Sequence, residues 1–362
     1  MKWSWKIGEF AGIGVYMHAT FLLLIGWVAV SGWLAGRTLA AALSAVAFIL
    51  ALFVCVVLHE YGHALTARRY GIKTREITLL PIGGVARLER MPDEPRQELW
   101  VALAGPAVNF AIAALLVVGL LATGAWSSFS LARLGDSSFL GRLLSINLSL
   151  ALFNLIPAFP MDGGRAVRAL LATRLEYTHA THIAATLGQA IALVFGFIGL
   201  FTNPLLVFVA LFVWMGAGQE ASVVQARSAL GNIPVTRAML TDFQTVSPYD
   251  RLARPVALIL AGSQHDFPVV DEGVVRGILT RNDLLHALQR YGQDALVGDV
   301  MRRDVRFADA LEMLEAVSER LQECSCHTMP VLRNGELIGL VTMENIGEFL
   351  MIQSALEKAR RR

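Results

Sequence analysis

His59 and His63 stand four residues apart around Glu60-Tyr61-Gly62, and the stretch before them carries no charged residue from Thr38 to Leu58. On a helix the two imidazoles project from one face. That spacing suits two nitrogen ligands on one zinc ion, with Glu60 beside the metal to accept a proton from water. The bare HExxH pattern also arises by chance in proteins without a metal, so its setting matters. An ionised residue at mid-bilayer costs about 3 kcal/mol on the insertion scale. A polar cluster on an apolar helix of membrane length therefore needs a hydrated cavity and a purpose.

A catalytic zinc takes a third protein ligand and keeps one position open. A second segment supplies a candidate, Asn154-Leu155-Ile156-Pro157-Ala158-Phe159-Pro160-Met161-Asp162-Gly163-Gly164. Two prolines and two glycines break the helix there and free backbone groups that protein or water must satisfy. Asp162 is its only carboxylate and is read as the third ligand. The alternatives are that Asp162 caps the segment starting at Gly163 or pairs with Arg165. Asn154 is a donor able to stabilise charge developing on a carbonyl oxygen, while Glu60 would accept the proton of water and return it to the leaving amine.

The elements that must hold these residues are membrane spans. Hydrophobic residues make up 55% and charged residues 17% of the 362, with a mean hydropathy of +0.54, which excludes an ordinary soluble domain. Six apolar runs are read as spans, roughly 15–35, 38–58, 99–122, 143–160, 183–201 and 205–218, the last two divided at Asn203-Pro204. The first is read as a retained span, since no signal-type cleavage site accompanies it. Arg68, Arg69, Lys73, Arg75, Arg87, Arg90 and Arg96 follow the second span, and Arg165, Arg168 and Arg174 follow the fourth. By the positive-inside rule these loops and both termini face the cytoplasm, and the HEYGH cluster lies at the cytoplasmic end of its helix. The net charge of +2 and the lack of a long basic cluster point away from nucleic acid. Cys55, Cys324 and Cys326 are read as reduced thiols.

His59-Glu60-Tyr61-Gly62-His63 together with Asn154…Pro157…Pro160-Met161-Asp162-Gly163 resembles the site-2 protease family of intramembrane zinc metalloproteases, whose pattern is HExGH plus NxxPxxPxDG. The resemblance covers roughly residues 1–225. It implies that His59, His63 and Asp162 bind zinc, that Glu60 is the catalytic base and that Asn154 holds substrate backbone or stabilises the oxyanion. Met161 is a mild departure, since leucine often stands there in the family. The implied substrates are single-pass membrane proteins such as anti-sigma factors, membrane-tethered transcription factors or remnant signal peptides.

Several further residues have two readings each. Glu76–Ala86 is apolar and β-prone but broken by Pro81 and Gly83-Gly84, so it is read as a strand or hairpin dipping toward the site. Its edge could pair with an unwound substrate; otherwise it is a surface loop packed on the bundle. Ala104-Gly105-Pro106-Ala107-Val108-Asn109 resembles a family element, with small residues for close packing and Asn109 expected to bond a neighbouring helix. His18 could face the site but is read as structural or interfacial, and His179 and His182, flanking the fifth span, as interfacial.

After Glu220 the composition becomes that of a soluble domain and repeats itself. His265-Asp266-Phe267-Pro268-Val269-Val270 with Gly277-Ile278-Leu279-Thr280-Arg281-Asn282-Asp283 matches His327-Thr328-Met329-Pro330-Val331-Leu332 with Gly339-Leu340-Val341-Thr342-Met343-Glu344-Asn345, at an offset of 62 residues. The two βαββα units, about 234–291 and 296–352, resemble a tandem pair of cystathionine β-synthase-type (CBS) domains. Such pairs commonly bind adenine nucleotides such as ATP between the repeats. The resemblance implies phosphate contacts from Thr280 and Thr342, and ribose contacts from Asp283 and, as a departure, Asn345. Alternatively the two threonines only start helices, and the pair serves for dimerisation.

The expected architecture is thus a polytopic α-helical membrane protein of about six transmembrane helices with a C-terminal α/β tandem CBS pair. Residues 1–218 form the membrane domain, 219–233 a linker helix and 234–362 the pair. The expected function is cleavage of transmembrane segments at one zinc ion, in the cell membrane, with the termini and tail cytoplasmic. A membrane transporter or channel gated by the same tail is the competing class.

Overall fold

The computed structural model describes residues 3–81, 83–92, 94–124, 126, 138–231, 233–324 and 327–360. Two compact units divide the chain, Met1–Ser222 and Val223–Arg362.

In the first unit, strands β1 (Ser4–Phe10) and β2 (Ile13–His18) lead into helices α1 (Ala19–Gly36) and α2 (Leu39–Arg69). Strands β3 (Thr74–Leu80) and β4 (Gly83–Leu88) follow, then α3 (Pro95–Ala122), α4 (Phe139–Asn154), α5 (Asp162–Ala172), α6 (Tyr177–Phe201) and α7 (Pro204–Leu230). Among the described residues, α1, α2, α3, α6 and α7 are long and apolar enough to cross a membrane, and α4 is a shorter apolar helix. At ~1.5 Å per residue its 16 residues span about 24 Å, short of a ~30 Å hydrocarbon core. The fourth span expected over 143–160 is therefore part helix and part irregular chain, because Pro157 and Pro160 lie where the helix would continue.

Local chemistry fixes several of these boundaries. His18, expected to be structural, caps α1, where its ring accepts from the Thr20 amide. Thr38 does the same for α2 through the Ala41 amide at 3.2 Å, and Arg68 and Arg69 in the last turn complement the helix dipole. The sixth span and the expected linker helix form one unbroken helix, since nothing between Leu205 and Leu230 interrupts α7.

The stretch read as a hairpin is one. β3 and β4 pair antiparallel from Thr74↔Leu88 to Leu80↔Gly83, while β2 pairs β3 in parallel, giving the sheet order β1-β2-β3-β4 with β4 at one edge. The sheet packs on the far end of α2. Ile13 and Ile77 share a core with Tyr61 and Ala64, and Leu79 meets Phe21 and Phe53. The Tyr61 hydroxyl donates to the Ile13 carbonyl at 3.1 Å, so one side chain of the HEYGH segment ties helix to sheet.

The second unit contains two similar halves. In the first, α8 (Ala253–Ala261), β5 (Phe267–Asp271), β6 (Val274–Leu279) and α9 (Arg281–Tyr291) follow an isolated bridge at Val246 in place of an opening strand. The second holds α10 (Val297–Val300), β7 (Ala308–Asp309), α11 (Leu314–Glu323), β8 (Thr328–Arg333), β9 (Glu336–Thr342) and α12 (Met343–Arg360). The openings of the two sequence repeats change sides. Val235, Ala238 and Met239 pack in the core of the second half, and Val297, Val300 and Met301 in that of the first. Leu240 bridges Leu340, and its counterpart Arg302 bridges Ile278. Each half is therefore completed by residues from the other repeat, which an offset in sequence does not reveal. Cys55 is a buried free thiol. Cys324 is disulfide-bonded, which corrects the reading of three reduced thiols; it lies in the turn at the end of α11, and Cys326 falls outside the described residues.

Candidate active site

The end of α2 and the start of α5 meet at one point. His59 and His63, one turn apart on α2, bring their Nε2 atoms to 3.1 Å, and Asp162 Oδ2 lies 3.3 Å and 3.2 Å from them. All three residues are buried. Ligands ~2.0–2.1 Å from a tetrahedral ion stand about 3.3 Å from one another, so these three atoms have the spacing that zinc ligands would need. The tautomer of His63 agrees. His63 Nδ1 lies 2.7 Å from the Val101 carbonyl, the bond that places the ring proton there and leaves the Nε2 lone pair inward. Asp162 Oδ2 is buried without a hydrogen-bond donor. Buried electron pairs aimed at a common centre match a cation, and the residues fit the metal.

Glu60 stands next to His59 on the same turn of α2. Its Oε2 accepts from the Ala86 amide of edge strand β4 at 3.3 Å. A β-carbon added to Gly84 would stand 2.9 Å from Glu60 Cγ, so the strand lies directly on the carboxylate. Asn154 is the last residue of α4, half-buried, and its amide makes no hydrogen bond among the described residues. Gly163 and Gly164 fold the chain after it into close contact. Added β-carbons would meet the Ile156 and Leu155 carbonyl oxygens at 2.3 and 2.4 Å and the Ala158 carbonyl carbon at 2.6 Å.

Residues 47–129 and 124–195 match the profile of peptidase family M50, and 232–290 and 297–351 that of the CBS domain. A zinc metalloprotease of Methanocaldococcus jannaschii is 32% identical over 361 residues, covering 99% of this chain and 100% of that protein. Stage IV sporulation protein FB of Bacillus subtilis is 25% identical over 253 residues, covering 66% of this chain and 83% of that one. Among solved structures, a site-2 protease from Methanocaldococcus jannaschii shares 38% identity over 60% of this chain and 95% of its own, with a TM-score of 0.44. The chain belongs to peptidase family M50. It is a zinc metalloprotease of the site-2 protease type, a multi-pass membrane protein carrying a tandem CBS pair. The transporter or channel reading is not favoured by this membership.

Helix α3 of this protease does more at the site than close packing required. Glu98, Val101 and Gly105 recur at intervals of three and four and lie on one buried face. Val101 orients His63, and Gly105 lies against both imidazoles. A β-carbon there would stand 2.2 Å from His63 Nε2 and 2.7 Å from His59 Cε1. Gly62 opens the same interface from α2, where a β-carbon would meet the Ala104 carbonyl oxygen at 2.7 Å. Asn109 departs from expectation. It is fully buried, yet neither its Oδ1 nor its Nδ2 has a partner among the described residues, so it does not bond a neighbouring helix. Arg168, counted by sequence among the basic residues after the fourth span, is also fully buried, because α5 turns it inward onto two carboxylates.

The C-terminal unit of the protease contains a cavity of about 1110 Å³ lined by residues of both repeats, including Thr280, Arg281, Arg302, Arg306, Thr342 and Asn345. Both threonines also start helices. Thr280 Oγ1 accepts from the Asp283 amide at 3.2 Å, and Thr342 Oγ1 from the Asn345 amide at 3.1 Å. Asp283 is turned to Arg302, which donates to its two oxygens at 2.6 and 3.0 Å. Burial pushes the Asp283 carboxyl up, but the Arg302 fork and the Thr280 hydroxyl outweigh it and hold the group below the usual carboxylate range. At the back of the cavity Asp266 Oδ2 accepts from Thr328 Oγ1 at 2.6 Å, a bond between equivalent positions of the two repeats.

Proposed function

We propose that this protease hydrolyses peptide bonds of transmembrane segments at a single zinc ion held by His59, His63 and Asp162. The observation that carries the reading is the meeting of three buried ligand atoms, from two separate helices, at mutual distances of 3.1–3.3 Å. A zinc ion there would supply Lewis acidity, making water acidic near neutral pH and polarising the carbonyl to be cut. Glu60 lies beside the two imidazoles with one oxygen anchored by the Ala86 amide. It accepts a proton from the attacking water and delivers it to the leaving amine. Asn154, at the free end of α4, offers its amide to the developing oxyanion or to the substrate backbone.

A transmembrane substrate must be extended before it is cut. Edge strand β4 supports this step, since its pairing partner β3 lies on one side only and its amide at Ala86 already reaches Glu60. A substrate strand added there would pass over the carboxylate. The orientation with the termini, the tail and the site toward the cytoplasm rests on the basic residues after α2, Arg68, Arg69, Lys73 and Arg75, and on Arg165 and Arg174 after α4. Residues 1–218 would form the protease, 219–233 the connection and 234–362 the regulatory pair. The tail would take an adenine nucleotide in its inter-repeat cavity, with Thr280, Thr342 and Asn345 on the cavity wall and Asp283 reaching the ribose only after leaving Arg302. The substrate class is a membrane-tethered regulator, such as an anti-sigma factor or a transcription factor, and the CBS pair could join two copies.

The test is full-length protein carrying Glu60→Gln with a model transmembrane peptide. Zinc content should equal wild type while cleavage is lost. Turnover by the purified variant would overturn the role of Glu60.

A further inference from the structure

The buried charges around Arg168 have no part in the chemistry above, yet they join α5, which bears Asp162, to α3, which lies against both histidines. Arg168 Nε and Nη2 donate to Glu98 Oε1 of α3 at 2.8 and 2.5 Å, and Nη1 donates to Glu220 Oε1 of α7 at 2.5 Å. Its guanidinium also lies over the rings of Phe159 and Tyr177, 5.1 and 5.0 Å from their centroids. The side chain of Arg168 is 1% exposed and that of Glu98 3%, whereas Glu220 retains 31%.

Two of these contacts lead toward the metal centre, those to Phe159 and Glu98. Phe159 lies three residues before Asp162 and Arg168 six after it, so one guanidinium braces the ligand from both directions along the chain. Glu98 shares its face of α3 with Val101, which orients His63, and with Gly105, which limits both imidazoles. The Glu98–Arg168 pair therefore sets the distance between the helix that supplies the carboxylate ligand and the helix that positions the histidines. A planar fork suits this task, since it can engage two carboxylates while stacking on rings.

We propose that Arg168 is a positioning residue of the metal centre, fixing the Asp162 end of α5 against α3 through Glu98 and against α7 through Glu220. The proposal rests on the reading of His59, His63 and Asp162 as the zinc ligands. The guanidinium of Arg168 is engaged by Glu98 and Glu220 and is not among the ligands; it acts by holding a ligand where the other two can share an ion with it. A pair that served stability alone would leave zinc affinity unchanged when it is removed.

The experiment uses full-length protein in detergent, with zinc affinity measured by competition against a chromogenic chelator. Melting temperature is read with zinc and after chelation. Removing one partner of a buried ion pair leaves the other charge unpaired, so the first variant is the double change Arg168→Gln with Glu98→Gln. Zinc affinity should fall by about tenfold, the lower end of what supporting residues contribute around metals, and the rise in melting temperature on adding zinc should shrink. Glu220→Gln, at the more exposed partner, should shift both readouts in the same direction by less. If the double variant does not fold, Glu220→Gln decides alone. Wild-type affinity with only a lower melting temperature of the metal-free protein would overturn the proposal. Asp162→Ala runs in parallel: if it binds zinc as wild type does, the ligand assignment has failed and the role of Arg168 with it.

Discussion

Gly105→Ala adds one methyl group to α3 and tests how tightly that helix bounds the metal centre. The new carbon would stand 2.2 Å from His63 Nε2, about 1.2 Å inside the 3.4 Å at which ordinary contact begins. His63 has little room to yield, because its Nδ1 is held by the Val101 carbonyl of the same helix at 2.7 Å. Either α3 withdraws, taking Val101 with it, or the imidazole rotates and carries its ligand nitrogen off the site. Overpacking of this kind costs about 1–3 kcal/mol, and the helix itself gains up to ~1 kcal/mol when alanine replaces glycine. The chain should therefore still fold. A displacement near 1 Å at a reacting centre costs about a hundredfold in rate, or ~2.7 kcal/mol. The assay is zinc content by elemental analysis together with kcat/KM on a transmembrane peptide. Gly119→Ala provides the control on the same helix, since its added carbon meets only Leu140 Cδ1 at 3.8 Å. The expected result is loss of zinc, or at least a hundredfold loss of kcat/KM, in Gly105→Ala alone. Full zinc and wild-type rates in that variant would refute the argument, and so would an equal loss in Gly119→Ala.

Two predictions concern the tail. Equilibrium dialysis of the full chain with ATP should show binding, and Thr280→Val with Thr342→Val should weaken it at least about tenfold, as loss of hydrogen bonds to a charged group does; equal binding would remove both threonines from the site. Asp283 is held below the usual carboxylate range, so its pairing stabilises the fold above the unfolded value of about 3.9 and that contribution is lost as pH falls through the lowered folded value. Asp283→Asn should therefore be less stable than wild type at neutral pH and converge with it in strong acid, as read by melting curves across that range.

The parts of the candidate site that were legible are those where sequence departs from its surroundings. Two histidines and a glutamate after twenty-one uncharged residues, and a lone aspartate after two prolines, stand out because charge in an apolar run is expensive. The repeat in the tail was legible through an offset of 62 residues. What stayed hidden depends on register between elements. Val101 acts through a backbone carbonyl, which leaves no mark on residue choice. Arg168 reads as one more basic residue near a membrane end, and only its position on α5 turns it toward Glu98, seventy residues away in sequence. Asp283 matched a pattern for ribose contact, but the pattern does not include Arg302, which the crossing of the repeat openings brings to it. Asn109 is a reminder in the other direction, a polar residue at helical spacing whose expected partner is absent among the described residues.

The glycines around the site act by the space they leave, and three of them set its dimensions. Gly62 and Gly105 face each other's helices, and a side chain on either would push α3 away from the histidines it orients. Gly163 has carbonyl oxygens of the preceding connection within 2.4 Å of where a β-carbon would be, so Asp162 sits as deep as it does because the next residue has no side chain. None of these three has a positive φ, so the requirement is for volume and not for a special backbone conformation. A zinc site needs its ligands within a few tenths of an ångström, and packing is stiff enough to transmit a methyl group of error. The spacing of HEYGH selects the ligand face of α2, but the close approach of α3 and of the Asp162 segment also needs atoms that are missing: the absent side chains of Gly62 and Gly105 for the first and of Gly163 for the second.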